Sequence, residues 1–164
     1  MAQLLESREP TVEDLVRLCA QLNSAGARYM VIGGFAMRAA GYDRRTMDID
    51  LLIDAEITNE AKVYTALAYL PDQAVRELSP GEVAKYVVVR VADEIVIDLM
   101  TSAGGIDYAT ASSEAVTHDI DGVSIPFASP ALLWKMKSST YRDKDVPDVH
   151  FLKMLLARKG EKPE

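Results

Sequence analysis

Apolar residues recur at helical spacing in several parts of the chain. Thr11 is a typical N-cap, and the three- and four-residue steps of the apolar positions behind it predict a first helix that ends at Ser24-Ala25-Gly26. Ser129-Pro130 combines a cap with a first-turn proline and predicts another helix start. Three further helices are predicted over Phe35–Ala40, Thr58–Leu70 and Asp145–Arg158.

Short runs rich in Val, Ile and Tyr lie between these helices and favour strands. The predicted strands are Tyr29–Ile32, Asp48–Asp54, Lys85–Val91 and Glu94–Met100. The last two have the pattern of a hairpin that turns at Ala92-Asp93. Val116–Phe127 predicts a smaller hairpin around Asp121-Gly122, which is a favoured two-residue turn. The chain is therefore expected to mix helices and strands.

The composition is that of a globular protein. The 164 residues are 49% hydrophobic and 26% charged, which predicts one domain over residues 1–164 with a frayed tail at about residues 159–164. Cys19 is the only cysteine and the chain has 2 histidines, which excludes a disulfide framework and a zinc site of the Cys/His type. The formal net charge of −7 argues against non-specific DNA binding, which needs a basic surface. With no basic-then-apolar leader and no apolar run of about 20 residues, we expect a cytoplasmic protein that does not enter the membrane.

Three aspartates in the predicted strands are candidates for a metal site. Asp48 and Asp50 are two residues apart, so a strand presents both carboxylates on one face while Ile49 lies on the other. Asp98 alternates with apolar residues in the same way, and its strand, laid beside the first with a shared core, turns it to the same cleft. Three converging carboxylates repel one another. A hard cation such as Mg²⁺ removes that repulsion.

Other carboxylates fit parts of this pattern. Glu94 has the same strand parity as Asp98 but lies closer to the turn, where we expect it to be solvated. Asp-x-Asp also occurs at Asp119/Asp121, which we assign to a turn, and at Asp143/Asp145, which we assign to the start of the last helix. Asp54 shares the parity of the first pair and is expected to be a cap or a surface group.

A glycine pair separates the first predicted strand from the next helix. Gly33-Gly34 lets the backbone approach a ligand, and a helix N-terminus offers free N–H groups that suit a phosphate. A tight strand-to-helix turn explains the same pair equally well. The chain has neither the glycine fingerprint of dinucleotide binding nor the lysine of a P-loop.

Taken in order, these motifs resemble the nucleotidyltransferase fold of the polymerase-beta superfamily. The matching segments are Val31-Ile32-Gly33-Gly34, Met47-Asp48-Ile49-Asp50-Leu51 and Ile97-Asp98-Leu99. The context Arg45-Thr46-Met47-Asp48-Ile49-Asp50 is similar, more narrowly, to the stand-alone bacterial nucleotidyltransferases that include AbiEii-type toxins. A further pattern of that branch is matched at Lys137, Arg142, Lys144-Asp145 and Asp148.

The resemblance implies an α/β (α+β) nucleotidyltransferase fold, with a small mixed sheet of about four or five strands and helices mainly on one side. It implies transfer of a nucleoside monophosphate from an NTP to an acceptor, which is RNA, a protein or a small molecule. Asp48, Asp50 and Asp98 would be catalytic and would hold Mg²⁺ or Mn²⁺. The nucleotide-binding residues would be Gly33, Gly34, Arg45, Thr46 and Lys137.

Several alternatives stay open at this level. Lys135 and Lys137 lie about equally far from the apolar face of their predicted helix, so spacing does not choose between them. Arg45 either contacts phosphate or pairs with a nearby carboxylate. The resemblance adds a cognate antitoxin or toxin protein as a partner. The alternative to an enzyme is an inactive or antitoxin-like binding module that acts through a protein partner.

Overall fold

The structure is a computed structural model that describes residues 6–138 and 145–158. Within these ranges the chain forms seven α-helices, eight strands and two short 3-10 helices at Ala74–Glu77 and Ser112–Glu114. The helices are α1 Val12–Ala25, α2 Gly33–Ala39, α3 Ile57–Leu67, α4 Glu82–Lys85, α5 Tyr108–Ala111, α6 Pro130–Ser138 and α7 Val146–Arg158. The strands are β1 Tyr29–Ile32, β2 Ile49–Ile53, β3 Val89–Ala92, β4 Val96–Met100, β5 Ser102–Ala103, β6 Ile106–Asp107, β7 Ala115–Ile120 and β8 Val123–Ala128.

Six of these strands form one mixed sheet, in the order β3-β4-β2-β1-β8-β7. β2 runs parallel to β4 and antiparallel to β1, while β3 and β4 form an antiparallel hairpin. The β7–β8 hairpin joins the sheet because β8 pairs in parallel with β1, through Val31 and Phe127. The predicted α/β class is confirmed, and this attachment gives the sheet six strands rather than four or five. β5 and β6 form a separate two-stranded ladder.

The strands at the centre of the sheet carry much of the hydrophobic core. All four residues of β1 are buried. In β2, Ile49, Leu51 and Ile53 are fully buried, as the alternation predicts. β4 adds Ile97 and Leu99, which are the register partners of the first two. Because these alternating residues share one face, the positions between them face the other side of the sheet.

The helix starts follow the predicted caps. At α1, the Asp14 N–H donates to Thr11 Oγ1 while the Asp14 carboxylate accepts the Thr11 N–H, which is a capping box. At α6, Ser129 Oγ accepts a hydrogen bond from the Leu132 N–H. Cys19 is fully buried on α1, on the same side of the helix as the buried Leu15, Leu18 and Leu22. Within the described ranges, no helix is both long enough and apolar enough to cross a membrane.

Some predicted boundaries shift by a few residues. α2 begins at Gly33 rather than Phe35. β2 begins at Ile49, where its pairing with β4 starts, so Asp48 lies just before the strand. α3 ends at Leu67, because the chain then closes a tight turn in which the Leu70 N–H donates to the Leu67 carbonyl. The predicted frayed tail, residues 159–164, lies outside the described residues.

The loop of the β3–β4 hairpin is longer than predicted. Ala92 pairs with Val96, so the loop is 93–95 and not the two residues Ala92-Asp93. Asp93 is buried, and its carboxylate accepts three backbone N–H hydrogen bonds that hold it out of the ladder. β3 begins at Val89 rather than Lys85, because Glu82–Lys85 forms α4.

The second hairpin turns where the sequence predicts. Ile120 pairs with Val123 around Asp121 and Gly122, whose φ angles are 50° and 81°. Two consecutive positive φ angles are the conformation of the favoured two-residue hairpin turn. His118 lies in β7 and pairs with Ile125, because the ladder runs up to the turn.

Candidate active site

Asp48, Asp50 and Asp98 converge in the structure. Asp50 of β2 is the register partner of Asp98 of β4, and paired residues of neighbouring strands face the same side of a sheet. Asp48 precedes β2 directly. One carboxylate oxygen of each aspartate lies within 4.8 Å of those of the other two. Within residues 6–138 and 145–158, no other group of three or more potential metal ligands converges in this way.

Burial and like charge dominate the electrostatics of this cluster. Burial raises the pKa of Asp50 to about 7, and the negative charges of Asp48 and Asp98 add to the increase. Burial and the charge of Asp98 also raise the pKa of Asp48. The positive charges of Lys137 and Arg90 act in the opposite direction, on Asp50 and Asp48 respectively. The cluster therefore favours a bound proton or cation.

Arg90 of β3 contacts two of the three carboxylates. It is the cross-strand partner of Asp98. Its Nε donates to Asp98 Oδ1 and its Nη2 to Asp98 Oδ2, each at 2.9 Å, and Nη2 also lies 3.3 Å from Asp48 Oδ2. Sequence reasoning missed this residue, because the turn predicted at Ala92-Asp93 gives the hairpin a different register.

The two glycines after β1 are packed against residues of the site. A Cβ at Gly33 would lie 2.0 Å from Asp50 Oδ2, and its φ of 69° also favours glycine. A Cβ at Gly34 would lie 2.4 Å from Thr46 Oγ1. Thr46 is buried, and its hydroxyl donates to the Asp48 carbonyl oxygen at 3.0 Å. Both glycines therefore fix the approach of the β2 segment to α2.

The structure separates the two lysines that helical spacing left equivalent. Lys137 lines the cleft that contains the aspartates, and Lys135 does not. Lys137 Nζ lies 3.3 Å from Asp145 Oδ1 and 3.2 Å from Asp148 Oδ2. Lys135 Nζ lies 3.4 Å from a carboxylate oxygen of Glu114 instead.

Two arginines enter the same cleft from the segment between α2 and β2. Arg45 pairs with Glu9, and its side chain is 75% exposed. This pair is the carboxylate contact that was one of the two alternatives for Arg45, and the contact with phosphate stays a prediction. Arg44, which sequence reasoning missed, pairs with Asp148, whose side chain is 1% exposed. This contact joins residues far apart in the chain, so no local spacing indicates it.

The other carboxylates that fit part of the metal-site pattern do not join the aspartate cluster in the described part of the chain. Glu94 pairs with Arg8 at the end of the β3–β4 hairpin, at 2.9 Å, and Asp54 pairs with Arg28 at the same distance. Asp119/Asp121 belong to β7 and its turn, the first of them in the strand rather than the turn because the ladder continues to Ile120. Arg142, Asp143 and Lys144 lie outside the described residues.

The predicted site residues line one cleft of about 520 Å³, a volume within the roughly 300–1,000 Å³ of small-molecule sites. They are Asp48, Asp50, Asp98, Gly33, Gly34, Arg45, Thr46 and Lys137. The donor set fits a hard divalent cation, because three carboxylates supply the oxygen ligands that Mg²⁺ and Mn²⁺ prefer. The repulsion that raises the pKa of Asp50 is also relieved by a cation.

Comparison with known proteins identifies the family of this chain. Residues 11–161 match the model of a family described as nucleotidyl transferase of unknown function (DUF2204). The chain belongs to this family. No curated protein matches the sequence significantly.

Two solved structures share the fold of this family member. An antigenic nucleotidyltransferase-like protein from Paracoccidioides brasiliensis aligns with a TM-score of 0.57 and 16% identity, over 94% of this chain and 79% of that one. A proposed nucleotidyltransferase from Thermotoga maritima aligns with a TM-score of 0.54 and 16% identity, over 90% of this chain and 92% of that one. The predicted resemblance is thus confirmed at the level of nucleotidyltransferase family and fold.

Proposed function

We propose that the chain catalyses metal-dependent transfer of a nucleoside monophosphate from an NTP to an acceptor hydroxyl or phosphate. The acceptor oxygen forms a bond to the α-phosphorus, the bond from that phosphorus to the oxygen bridging to the β-phosphate breaks, and pyrophosphate leaves. The observation that carries the proposal is the convergence of three aspartates in a cleft that basic side chains also line. Membership of a nucleotidyl transferase family supports it.

Asp48, Asp50 and Asp98 are the residues that would hold Mg²⁺ or Mn²⁺. Such a cation polarises phosphoryl oxygens and neutralises charge on the leaving pyrophosphate. Asp50 is held in place against Gly33 and lies in the middle of the sheet, on β2. Asp98 lies one strand further out, on β4. In the proposed reaction it would face the acceptor and, where the acceptor is a hydroxyl, accept the proton of that hydroxyl.

The nucleotide binds on the other side of Asp50, towards β1 and α6. Gly33 and Gly34 have no side chains, so the backbone can approach the β- and γ-phosphates. Lys137 neutralises charge on the leaving pyrophosphate. Arg45 is exposed enough to turn from its present partner to a phosphate. Thr46 holds the segment that carries Asp48, through its hydrogen bond to the backbone.

The acceptor is RNA, a protein or a small molecule, and the proposal includes a role in a toxin–antitoxin system with a cognate antitoxin or toxin as partner. The resemblance of residues 45–50 to AbiEii-type toxins supports this subtype. The alternative is a binding module without catalysis. The converging triad favours the enzyme, because a binding module gains nothing from three carboxylates whose mutual repulsion destabilises the fold.

The test is incubation of the protein with each α-labelled NTP, Mg²⁺ or Mn²⁺, and cell extract. We expect label in one class of acceptor, seen as an RNA band, a protein band or a small molecule. Asp48→Asn and Asp50→Asn should each lower transfer at least about a hundredfold, since each removes a ligand charge from the metal site. Both should keep the fold, because losing one like charge relieves repulsion in the metal-free protein.

Asp119→Asn is the matched control for these variants. Asp119 belongs to another Asp-x-Asp pair, is exposed on β7 and does not line the cleft. We expect its transfer to equal that of the wild type. Transfer that persists with a chelator present, or in Asp50→Asn, would refute the metal site. Absence of label from every fraction would favour the binding module.

A further inference from the structure

Arg90 holds two members of the aspartate cluster through an unusually complete set of contacts. Both oxygens of Asp98 accept hydrogen bonds from its guanidinium, at 2.9 Å each, and Asp48 Oδ2 lies 3.3 Å from the same Nη2 atom. Bidentate pairing of this kind is the strongest form of arginine–carboxylate contact. Asp98 is 8% exposed, so water competes weakly for its oxygens.

The positive charge of Arg90 therefore partly neutralises the aspartate cluster. Three carboxylates that repel one another need a counter-charge when no metal is bound. Arg90 supplies one positive charge to the two carboxylates at the β4 side of the cluster. These same carboxylates raise the pKa of Arg90 further above its ordinary value, so it stays charged at every physiological pH.

We propose that Arg90 is the counter-cation of the metal-free site, and that a divalent cation bound by Asp48, Asp50 and Asp98 displaces its guanidinium from Asp98 and Asp48. The inference rests on the proposed function in one respect, namely that this cluster is where the metal binds. It adds a residue that tunes the affinity for the metal and that neither the family nor the fold comparison assigns. Arg90 changes the affinity for the metal through its charge and is not itself a metal ligand.

The location of Arg90 allows its guanidinium to leave the two aspartates without a change in the backbone. Its side chain is 60% exposed, and in the described part of the sheet its strand, β3, is an edge strand that pairs with β4. Val89 and Val91, on either side of it, are buried and keep the strand in place. The guanidinium can therefore move into solvent by side-chain rotation, with the β3–β4 ladder intact.

Coulomb repulsion between the Arg90 guanidinium and the divalent cation sets the size of the expected change in metal affinity. A single and a double positive charge about 5 Å apart in water repel enough to change a binding constant by roughly tenfold, and salt reduces this. Replacing Arg90 by a neutral residue of similar length should therefore tighten metal binding about five- to tenfold. A residue that merely held Asp98 in position would have the opposite effect, since its loss would scatter the ligands.

The first experiment measures the dissociation constant of Mn²⁺ for metal-free protein, by electron paramagnetic resonance of the free ion at constant ionic strength. Arg90→Gln should bind Mn²⁺ about five- to tenfold more tightly than the wild type. Arg90→Lys keeps the charge and should stay within about twofold. Arg28→Gln is the matched control, because Arg28 also pairs with two carboxylates, Asp54 and Glu56, away from the cleft. Its affinity should equal that of the wild type.

The second experiment needs no variant with altered affinity and so does not depend on how well Arg90→Gln folds. The experiment follows arginine Nε–H signals in ¹⁵N spectra of the wild type. In the structure the Nε–H group of Arg90 donates to Asp98 and that of Arg28 donates to Asp54, both at 2.9 Å. Saturating Mg²⁺ should shift the Arg90 signal and accelerate its exchange with water. The Arg28 signal should not change. Arg90→Lys, which lacks the Nε–H group, assigns the signal.

The outcomes separate the two proposals. Equal or weaker Mn²⁺ binding by Arg90→Gln, or an Arg90 Nε–H signal that Mg²⁺ leaves unchanged while the metal binds, would overturn the role of Arg90 and leave the metal site standing. Failure of the wild type to bind Mn²⁺ at all would overturn the metal site itself. Tighter binding by both Arg90→Gln and Arg28→Gln would show a general effect of net charge and would also overturn the specific role.

Discussion

Gly33 and Asp50 lie so close together that each restricts what the other position can hold. The space that a Cβ would occupy at Gly33 is filled by the Asp50 carboxylate, 2.0 Å away at Oδ2. The φ angle of Gly33, 69°, is one that residues with a Cβ rarely adopt. The glycine pair of the sequence therefore has a structural requirement that a phosphate ligand alone does not explain.

We expect Gly33→Ala to lower the free energy of unfolding by about 3 kcal/mol, which urea unfolding measures. The left-handed backbone contributes about 1–2 kcal/mol and overpacking against Asp50 about 1–3 kcal/mol. Gly26→Ala is the matched control, since Gly26 has a φ of 72° but no atom within 4 Å of the Cβ position. The free energy of unfolding that Gly26→Ala loses should equal the backbone contribution alone. If both variants lost the same amount, the packing argument would be wrong.

Single residues also show what sequence can and cannot predict about the site. The shared face of Asp48 and Asp50 follows from strand alternation, which is a local property. Asp98 depends in addition on the pairing of its strand with β2, which the shared apolar core suggests, and the structure brings all three together. Arg90 depends on the register of the β3–β4 hairpin. A two-residue turn at Ala92-Asp93 sets Arg90 opposite Ile95, whereas the observed three-residue loop sets it opposite Asp98.

The elements that were predicted correctly are those with local signals. The capping box of α1 and the Asp121-Gly122 turn each depend on residues within four positions of one another. The parallel pairing of β8 with β1 joins Val31 to Phe127, and nothing in either segment specifies that partner. The predicted count of four or five strands for the main sheet is therefore lower than the observed six, although both hairpins are predicted. Long-range register is where sequence pattern stops being informative.

The start of α1 provides a test at the scale of an element. Asp14 accepts the Thr11 N–H at 2.7 Å and forms a bidentate pair with Arg8, at 2.6 and 2.7 Å. Arg8 also pairs with Glu94, so the cap connects α1 to the end of the β3–β4 hairpin. The hydrogen bond from Arg8 is the largest cause that lowers the pKa of Asp14 to about 2.

We expect Asp14→Asn to lower the free energy of unfolding by about 1–2 kcal/mol at pH 7, because it weakens the cap and the ion pair, whose exposure to solvent limits its strength. The folded pKa lies below the unfolded value of about 3.9. The stabilisation by Asp14 is therefore complete above about pH 4 and is lost as the pH falls towards 2. Urea unfolding from pH 7 to pH 2.5 should show the difference between variant and wild type shrinking.

Glu13→Gln is the control for this prediction. Glu13 is an exposed carboxylate in the same helical turn, so the variant tests whether any first-turn charge has the same effect. We expect it to change the stability by less than about 0.5 kcal/mol. A difference between Asp14→Asn and the wild type that stays constant over the whole pH range would contradict the assignment.

Across the whole molecule, buried charge connects segments that are far apart in the chain. Asp148 of α7 is 1% exposed and pairs with Arg44, from the segment before β2, and with Lys137 of α6, at 3.2 Å. The same Lys137 pairs with Asp145 at 3.3 Å. Arg44 and Lys137 both line the cleft. The last helix thus positions basic side chains of the site without contributing to the aspartate cluster.

We expect Asp148→Asn to lower the free energy of unfolding by about 3 kcal/mol, because Arg44 loses this buried counter-charge and Lys137 keeps Asp145 but loses Asp148. We also expect it to weaken NTP use, since Arg44 and Lys137 lose the carboxylate that orients them towards the cleft. Urea unfolding and the KM for NTP measure the two effects, and Asp119→Asn, an exposed position on β7, is the control for both. A variant with lower stability but an unchanged KM would mean that Asp148 holds α7 to the fold and does not orient the basic side chains of the site.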